Sequence, residues 1–122
     1  MRDHRKLRAF HLANNLTIEI YRLTRSFPKE ELFGLTSQMR RAALSVAANI
    51  VEGEARKSSR DLLRFLNMAF GSARELGYFL ELSKHLGFIS EPEAKAIVAM
   101  QQETTRVLYG LLKALEDRFA AV

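Results

Sequence analysis

Histidine and acidic residues are the first to examine for chemistry, because metal centres inside helical proteins are built from them. A di-metal site in a helical bundle needs glutamate and histidine three residues apart on inward-facing helices. The chain has three histidines, His4, His11 and His85, and none of them follows a glutamate at that spacing. Glu81 and His85 are four residues apart, which is typical of an ordinary pair on a helix surface. We therefore predict no metal site.

Residues that catalyse reactions or hold cofactors are equally scarce. With no cysteine, the chain has no disulfide, no thiolate nucleophile and no cysteine ligand for a metal. No phosphate-binding loop of the form G-x-x-x-x-G-K-[ST] is present, and no local pattern suggests a serine–histidine–aspartate set. Met39, Met68 and Met100 lie among apolar residues and are expected to fill the core rather than bind haem. The sequence therefore predicts a protein without catalytic residues, cofactors or enzymatic activity.

One row of polar residues needs closer attention. Spacings of four, three and four residues place Ser45, Asn49, Glu52 and Arg56 on one line of a helix. These side chains could face a ligand, or they could satisfy one another and neighbouring groups at a contact between helices. Glu52 and Arg56 stand in the favourable order for an ion pair, worth about 0.3–0.5 kcal/mol on an exposed helix. We predict a structural polar strip in which Glu52 pairs with Arg56 or with a basic residue across a helix contact.

The helix that carries this polar strip is apolar on two further sides. The first apolar stripe consists of Met39, Ala43, Val46 and Ile50. The second apolar stripe lies on roughly the opposite side and consists of Leu44, Ala48, Val51 and Ala55. A surface helix needs only one apolar stripe, so a helix with two is expected to be buried on both. The second apolar stripe is therefore the candidate oligomer interface.

The periodicity of the whole chain predicts an all-α fold, an up-down-up-down four-helix bundle. Apolar residues recur at alternating spacings of four and three, which is the seam of such a bundle. The cleanest seam consists of Leu62, Leu66, Ala69, Ala73, Leu76 and Leu80. Gly71 and Gly77 lie in the same helix and are expected to allow close approach of a neighbour. We predict a single domain, residues 1–122, with helices at about 9–26, 37–57, 59–86 and 91–119.

Capping residues predict where the helices begin and end. Thr36 or Ser37 is expected to cap the second helix. Gly87 suits the end of the third helix, because glycine readily adopts the left-handed conformation found there. Ser90 and Glu93 form a capping box for the fourth helix.

Positive charge is concentrated in the first half of the chain. The net charge is +5; residues 1–60 hold 12 Lys/Arg against 6 Asp/Glu, and residues 61–122 hold 7 against 8. This asymmetry fits a polyanionic partner and fits a merely solubilising surface equally well. The candidate nucleic-acid-binding residues belong to a frayed, mobile N-terminal arm and to the first two helices with their connection: Arg2, Arg5, Lys6, Arg8, Arg22, Arg25, Lys29, Arg40 and Arg41.

Antiparallel packing of the second and third helices would pair positions whose numbers sum to about 115. This register places Arg41 near Arg74 and Arg40 near Glu75, so we expect Glu75 to neutralise one of the two arginines, Arg40 or Arg41. No aromatic residue is interleaved with these basic residues in the manner of a base-stacking platform. We therefore predict contacts to the backbone of RNA or DNA with little sequence preference.

Targeting signals are absent from the sequence. The basic N-terminus is not followed by the apolar region of a signal peptide. No run of ~20 apolar residues could span a membrane. We expect a cytoplasmic protein without a membrane partner.

Several short motifs in the middle of the chain resemble one known family. In order, they are Phe27-Pro28, Gly34-Leu35, Gln38 with Arg40-Arg41-Ala42, Asn49-Ile50-Val51-Glu52-Gly53, Arg56, Arg64-Phe65-Leu66, Gly71-Ser72 and Glu75-Leu76. Together they resemble the four-helix-bundle proteins encoded in intervening sequences of bacterial 23S rRNA genes. The likeness covers about residues 21–89. Where members often carry alanine, this chain has Val51, which enlarges the second apolar stripe.

This resemblance implies a small helical bundle that assembles as a ring-like homopentamer. The sequence is also similar to accessory variability proteins of diversity-generating retroelements, which are basic pentameric bundles that bind a reverse transcriptase and nucleic acid. The family supplies no catalytic residues. The resemblance therefore implies a non-catalytic, oligomeric protein associated with RNA or another nucleic acid. The alternative is a protein-interaction scaffold, such as a reverse-transcriptase accessory protein.

Overall fold

The computed structural model describes residues 2–120, which form four long helices and no strand. Helices α1 to α4 span Arg8–Thr24, Leu35–Glu54, Ser59–His85 and Glu91–Ala120. Two short 3-10 turns, His4–Lys6 and Lys29–Glu31, precede α1 and α2. The predicted all-α class is confirmed for these residues. Residues 1, 121 and 122 of the predicted domain lie outside the described part of the chain.

The four helices form an up-down-up-down bundle in which each helix packs against two others. Consecutive helices are neighbours, and α4 returns to contact α1. Between α2 and α3, Ser45 meets Ser72, while Gly53, later on α2, faces Phe65, earlier on α3. The residue numbers of the contacting positions increase along α2 while they decrease along α3, so the two helices are antiparallel. Among the described residues, no helix is long and apolar enough to cross a membrane.

The core is built from the seams that periodicity predicted. All six predicted seam residues of α3 are buried, and so are all four residues of the first apolar stripe of α2. They belong to two apolar clusters, one toward each end of the bundle. The cluster nearer the α2–α3 turn contains Val46, Ile50, Leu62 and Leu66. The other contains Met39, Leu76 and Leu80.

A layer of polar side chains lies between the two apolar clusters. The Thr17 hydroxyl donates to the Ala43 carbonyl oxygen, 3.1 Å away, or to that of Ala13 at 2.8 Å. Gln101 Nε2 donates to the Ala73 carbonyl oxygen at 2.9 Å. The layer is buried yet hydrogen-bonded, which removes most of the desolvation cost of placing polar groups inside a bundle. The hydrogen bond from Gln101 to Ala73 also fixes the position of α4 along the axis of α3.

Two of the three predicted capping sites are confirmed, and one is wrong. The backbone N–H of Ser90 donates to the Glu93 carboxylate at 3.0 Å, which completes the predicted capping box. Gly87 follows α3 with a φ of 76°. However, α2 begins two residues before the predicted Ser37, because the Glu31 carboxylate accepts the Leu35 N–H at 3.1 Å. A carboxylate four residues upstream therefore takes the place of the expected hydroxyl cap.

Of the two glycines of α3 that were predicted to allow close approach of a neighbour, only one does so. A Cβ at Gly77 would lie 2.7 Å from Gln101 Nε2, so Gly77 does permit a close approach, as predicted. A Cβ at Gly71 would meet nothing within 4 Å, so the same prediction for Gly71 is wrong. The tight backbone contact between α2 and α3 lies instead at Gly53, whose added Cβ would be 3.1 Å from the Phe65 Cβ.

Candidate nucleic-acid interface

Most of the nine candidate basic residues already have an acidic partner. The ion pairs are Arg2–Glu54, Arg5–Asp3, Arg8–Glu103, Arg22–Glu19 and Arg41–Glu75. Apart from Arg2–Glu54, whose carboxylate is buried, these pairs are exposed to solvent. Exposed pairs are worth only about 0–1 kcal/mol, so an incoming phosphate could compete for their arginines. Lys6, Arg25 and Lys29 make no ion pair with any residue between positions 2 and 120.

Residues 2–7 pack against the bundle through a 3-10 turn that contacts α1 and α2, rather than forming an unstructured lead-in. The Arg5 guanidinium donates to the Asp3 carboxylate at 3.0 Å, and these hydrogen bonds lower the pKa of Asp3 to about 2. The Arg2 guanidinium donates to the Arg56 carbonyl oxygen at 2.6 Å, just beyond the end of α2. Arg2 thereby covers a carbonyl oxygen that the end of the helix leaves without a partner.

Glu75 pairs with Arg41, one of the two adjacent arginines of α2 between which the prediction did not choose. Arg41 lies 3.1 Å from the Glu75 carboxylate, because the positions that face each other sum to slightly more than was assumed. Arg40 turns toward α1 instead. It donates to the Thr24 hydroxyl at 2.9 Å, and its guanidinium carbon lies 4.7 Å from the centre of the Tyr21 ring. Both arginines are therefore held in defined positions.

Arg40 and Arg41 line a groove that also contains exposed aromatic and apolar side chains. We call it the Phe33 groove; it encloses about 470 Å³. Its lining residues are Tyr21, Leu32, Phe33, Thr36, Ser37, Arg40, Arg41 and Leu44. Phe33 is 92% exposed, which is unusual for a side chain with this much apolar surface. Tyr21 and Phe33 therefore lie beside Arg40 and Arg41 in this groove, an arrangement that the sequence analysis did not predict.

The polar strip of α2 makes contacts within α2 and toward α3. Asn49 Nδ2 donates to the Ser45 carbonyl oxygen at 2.8 Å and to the Ser45 hydroxyl at 2.9 Å. The Ser45 and Ser72 hydroxyls are 2.8 Å apart, across the α2–α3 contact. Glu52 and Arg56 form an exposed ion pair at 3.4 Å. These contacts support the structural role assigned to the strip, which stays a prediction.

The second apolar stripe of α2 is not covered within the single chain. Leu44 is 47% exposed, Ala48 and Ala55 are also exposed, and Val51 is half-buried. The first apolar stripe of the same helix is fully buried. The contrast agrees with a helix that has a second packing partner, and the assignment of this stripe as an oligomer interface stays a prediction.

Glu54, the last residue of α2, carries a buried carboxylate and was not among the predicted site residues. Glu54 is only 7% exposed, and its Oε2 has no hydrogen-bond partner. The nearest cation is Arg2, whose Nε lies 3.8 Å away. Burial raises the pKa of Glu54, while the nearby positive charges of Arg2 and His4 partly oppose that rise. A negative charge is also unfavourable at the C-terminal end of a helix.

Glu54→Gln is expected to raise the melting temperature at pH 7 by about 2–3 °C, equivalent to roughly 0.5 kcal/mol for a domain of this size. Because the pKa of Glu54 is higher in the folded state than in the unfolded state, its ionisation favours unfolding. The gain should therefore be present above the folded-state pKa and disappear as the pH falls below the unfolded-state value. Thermal melts of the variant and the wild type between pH 3 and 8 (roughly the carboxylate range and above) measure it.

Glu103→Gln is the matched control for that experiment. The hydrogen bond from Arg106 lowers the pKa of Glu103, with Arg8 contributing further. Removal of this charge should therefore lower the melting temperature at pH 7, and the difference should again vanish in acid. If both variants shift the melting temperature in the same direction, this account of Glu54 is wrong.

Clustered ligands for a metal are not found in this structure. Among residues 2–120, no group of three or more histidine and acidic side chains is placed to hold a metal ion. The features that distinguish the surface are the Phe33 groove with its arginines and the uncovered second apolar stripe. Fold and surface together define a class: a small antiparallel four-helix bundle with a basic, aromatic groove beside an unpaired apolar helix face.

The chain belongs to the 23S rRNA-intervening sequence protein family, whose sequence model matches residues 5–110. The resemblance carried by the central motifs is therefore confirmed, and the match extends it into α1 and α4. A crystal structure of a protein with unknown function from the S23 ribosomal protein family of Bacteroides thetaiotaomicron is similar, with a TM-score of 0.80 and 26% sequence identity. The likeness covers 86% of this chain and 95% of that one. No curated protein matches the sequence.

Proposed function

We propose that this protein is a non-catalytic homo-oligomer that associates with RNA or another nucleic acid through contacts to the phosphate backbone. The observation that carries the proposal is the gathering of basic side chains at one end of the bundle. They come from the end of α1, from the connection to α2 and from the second turn of α2: Arg22, Arg25, Lys29, Arg40 and Arg41.

The state of these charges supports phosphate binding. Arg25 and Lys29 are exposed and make no ion pair with the described residues. Arg41 is paired with the exposed carboxylate of Glu75. Arg40 is already oriented by its hydrogen bond to Thr24 and its contact with the Tyr21 ring. An arginine held in place loses less side-chain entropy when it binds a phosphate.

The uncovered apolar surface supports the homo-oligomer. The second apolar stripe continues through Leu44 into the Phe33 groove, where Leu32 and Phe33 are also exposed. A second copy of the chain seated on this face would bury that surface, and the family resemblance favours a pentamer. A ring would repeat the basic end of the bundle around a symmetry axis, so that weak contacts from each subunit add up to useful avidity.

Phe33 also favours a second candidate function, a protein-interaction scaffold such as a reverse-transcriptase accessory protein. A large apolar side chain that is 92% exposed is typical of a protein-binding site. In that case the neighbouring arginines would increase solubility or orient the partner.

The experiment is a charge reversal at Arg25 and Lys29, which make no ion pair within the described part of the chain. Arg25→Glu combined with Lys29→Glu should weaken the binding of structured RNA more than tenfold, because it replaces two phosphate contacts with repulsion. Each lost contact should also reduce the slope of log affinity against log salt by about 1. Fluorescence anisotropy measures both quantities.

Lys113→Glu combined with Arg118→Glu is the matched control, since both residues are exposed and lie in the last third of α4, at the end of the bundle opposite the basic end. It makes the same change in net charge away from the basic end. If the two double variants weaken binding equally, the effect is due to net charge alone, and the proposed surface is wrong.

A further inference from the structure

A second groove, between α3 and α4, also combines arginine with exposed tyrosine. We call it the α3–α4 groove; it encloses about 670 Å³. Its floor is formed by Gly77, Gln101 and Thr105, and its walls include Arg74, Tyr78, Gln102 and Arg106. This groove lies on different helices from the Phe33 groove, and the sequence analysis assigned it no function.

The floor of the α3–α4 groove is polar and fixed. Gln101 Nε2 donates to the Ala73 carbonyl oxygen at 2.9 Å and to the Thr105 hydroxyl at 3.1 Å. Gly77 leaves room for this side chain, since a Cβ there would come within 2.7 Å of Gln101 Nε2. A floor with its hydrogen bonds already formed can accept a ligand without first rearranging.

Two tyrosines stand exposed along the groove and beyond its end. Tyr78 is 62% exposed and Tyr109 is 52% exposed. The Tyr109 ring lies 5.7 Å from the ring of Phe70. Tyr109 is therefore at the same height along the bundle as Phe70, which precedes Tyr78 by eight residues on α3. At 1.5 Å per residue, this separation is about 12 Å along the helix. Arg74 falls midway between the two levels.

The positions of Arg74 and Arg106 favour the binding of an anion between the two tyrosine rings. Arg74 makes no ion pair with any residue from 2 to 120. Across the groove, Arg106 is held at 2.7 Å from the Glu103 carboxylate, which orients its guanidinium group. The acidic residue that lines the groove, Glu81, lies one turn beyond Tyr78, on the side away from Arg74. A polyanion would therefore pass Arg74 and Arg106 and avoid the Glu81 end.

We propose that the α3–α4 groove binds a short single-stranded segment of RNA or DNA. Bases stack on Tyr78 and Tyr109, and the intervening phosphates lie between Arg74 and Arg106. Base stacking on aromatic side chains, combined with a cationic track, is how proteins bind single strands with little sequence preference. The inference deepens the proposed nucleic-acid function by adding a second surface with a different mode of binding.

Tyrosine fluorescence provides a direct test, because the chain has three tyrosines and no tryptophan. Titration of the wild-type protein with short oligo(U) and oligo(dT) should quench the fluorescence as bases stack. Tyr78→Ala should weaken binding about 5- to 150-fold, the range expected for loss of one stacked base. Tyr78→Phe keeps the ring and should retain affinity. Leu86→Ala removes an exposed apolar side chain at the end of α3, keeps all three tyrosines and should leave the quenching unchanged.

The same variants separate this inference from the proposed function. If Tyr78→Ala binds oligo(U) and oligo(dT) as the wild type does, the α3–α4 groove is not the site, whether or not structured RNA binds the basic end. If Tyr78→Ala loses single-strand binding while Arg25→Glu with Lys29→Glu leaves structured-RNA binding intact, the inference stands and the proposed surface fails. Thermal melts should show Tyr78→Ala to be folded, since the side chain is largely exposed.

Discussion

Val51→Asp should convert the proposed oligomer into single chains of 13.9 kDa. Val51 lies in the second apolar stripe, whose other members are exposed in the single chain. A second copy seated on this stripe would enclose the new carboxylate without a partner, and burial of an unpaired charge costs several kcal/mol. That cost recurs at every interface of a ring. Light scattering coupled to gel filtration measures the mass directly.

Two further variants sharpen this prediction. Leu44 is more exposed than Val51 in the single chain, so Leu44→Asp should dissociate the assembly with little effect on the stability of the bundle itself. Leu86→Asp places the same charge at an equally exposed leucine at the end of α3 and should leave the mass unchanged. A wild-type mass of one chain at micromolar concentration would remove the basis for the oligomer.

Gly53→Val is expected to lower the free energy of unfolding by about 1–3 kcal/mol, the usual cost of overpacking a tight contact. At this position a Cβ would lie 3.1 Å from the Phe65 Cβ and 3.4 Å from the Leu62 carbonyl oxygen. Valine adds two further methyl groups where α2 and α3 already touch. The loss should be visible as a lower midpoint in urea.

Gly71→Ala is the matched control for that prediction. The position is exposed inside α3, and an added Cβ would meet nothing within 4 Å. Alanine is favoured over glycine in a helix interior by about 0.5–1 kcal/mol, so this variant should be stabilised. If both glycine variants lose stability to the same extent, the tight contact at Gly53 does not explain the effect.

The glycine at position 53 also shows what periodicity could and could not predict. The buried seam of α3 was predictable because a four-three spacing of apolar residues has one stable arrangement in an antiparallel bundle. Which glycine lies at a helix contact depends instead on the depth and rotation of the neighbouring helix. Gly71 and Gly53 cannot be told apart by spacing alone, and only the packed structure separates them.

The candidate sites were less predictable than the fold, for two physical reasons. The Phe33 groove is assembled by a loop that brings Phe33 beside Arg40 and Arg41, and no helical periodicity describes a loop. Glu54 resembles an ordinary surface residue in the sequence. It is buried because the N-terminal 3-10 turn folds back over the end of α2, a contact that places Arg2 3.8 Å from Glu54.

The central claim, that this bundle associates with nucleic acid through its basic end, is tested most directly by the salt dependence of binding. The measurement is fluorescence anisotropy of wild-type protein with structured RNA and with duplex DNA, between roughly 50 and 200 mM salt. The account predicts measurable affinity at the low end and a loss of more than about tenfold across that range, because each neutralised phosphate releases counterions. Undetectable binding at the low end, or an affinity indifferent to salt, would contradict it and leave the protein scaffold as the better account of the exposed Phe33.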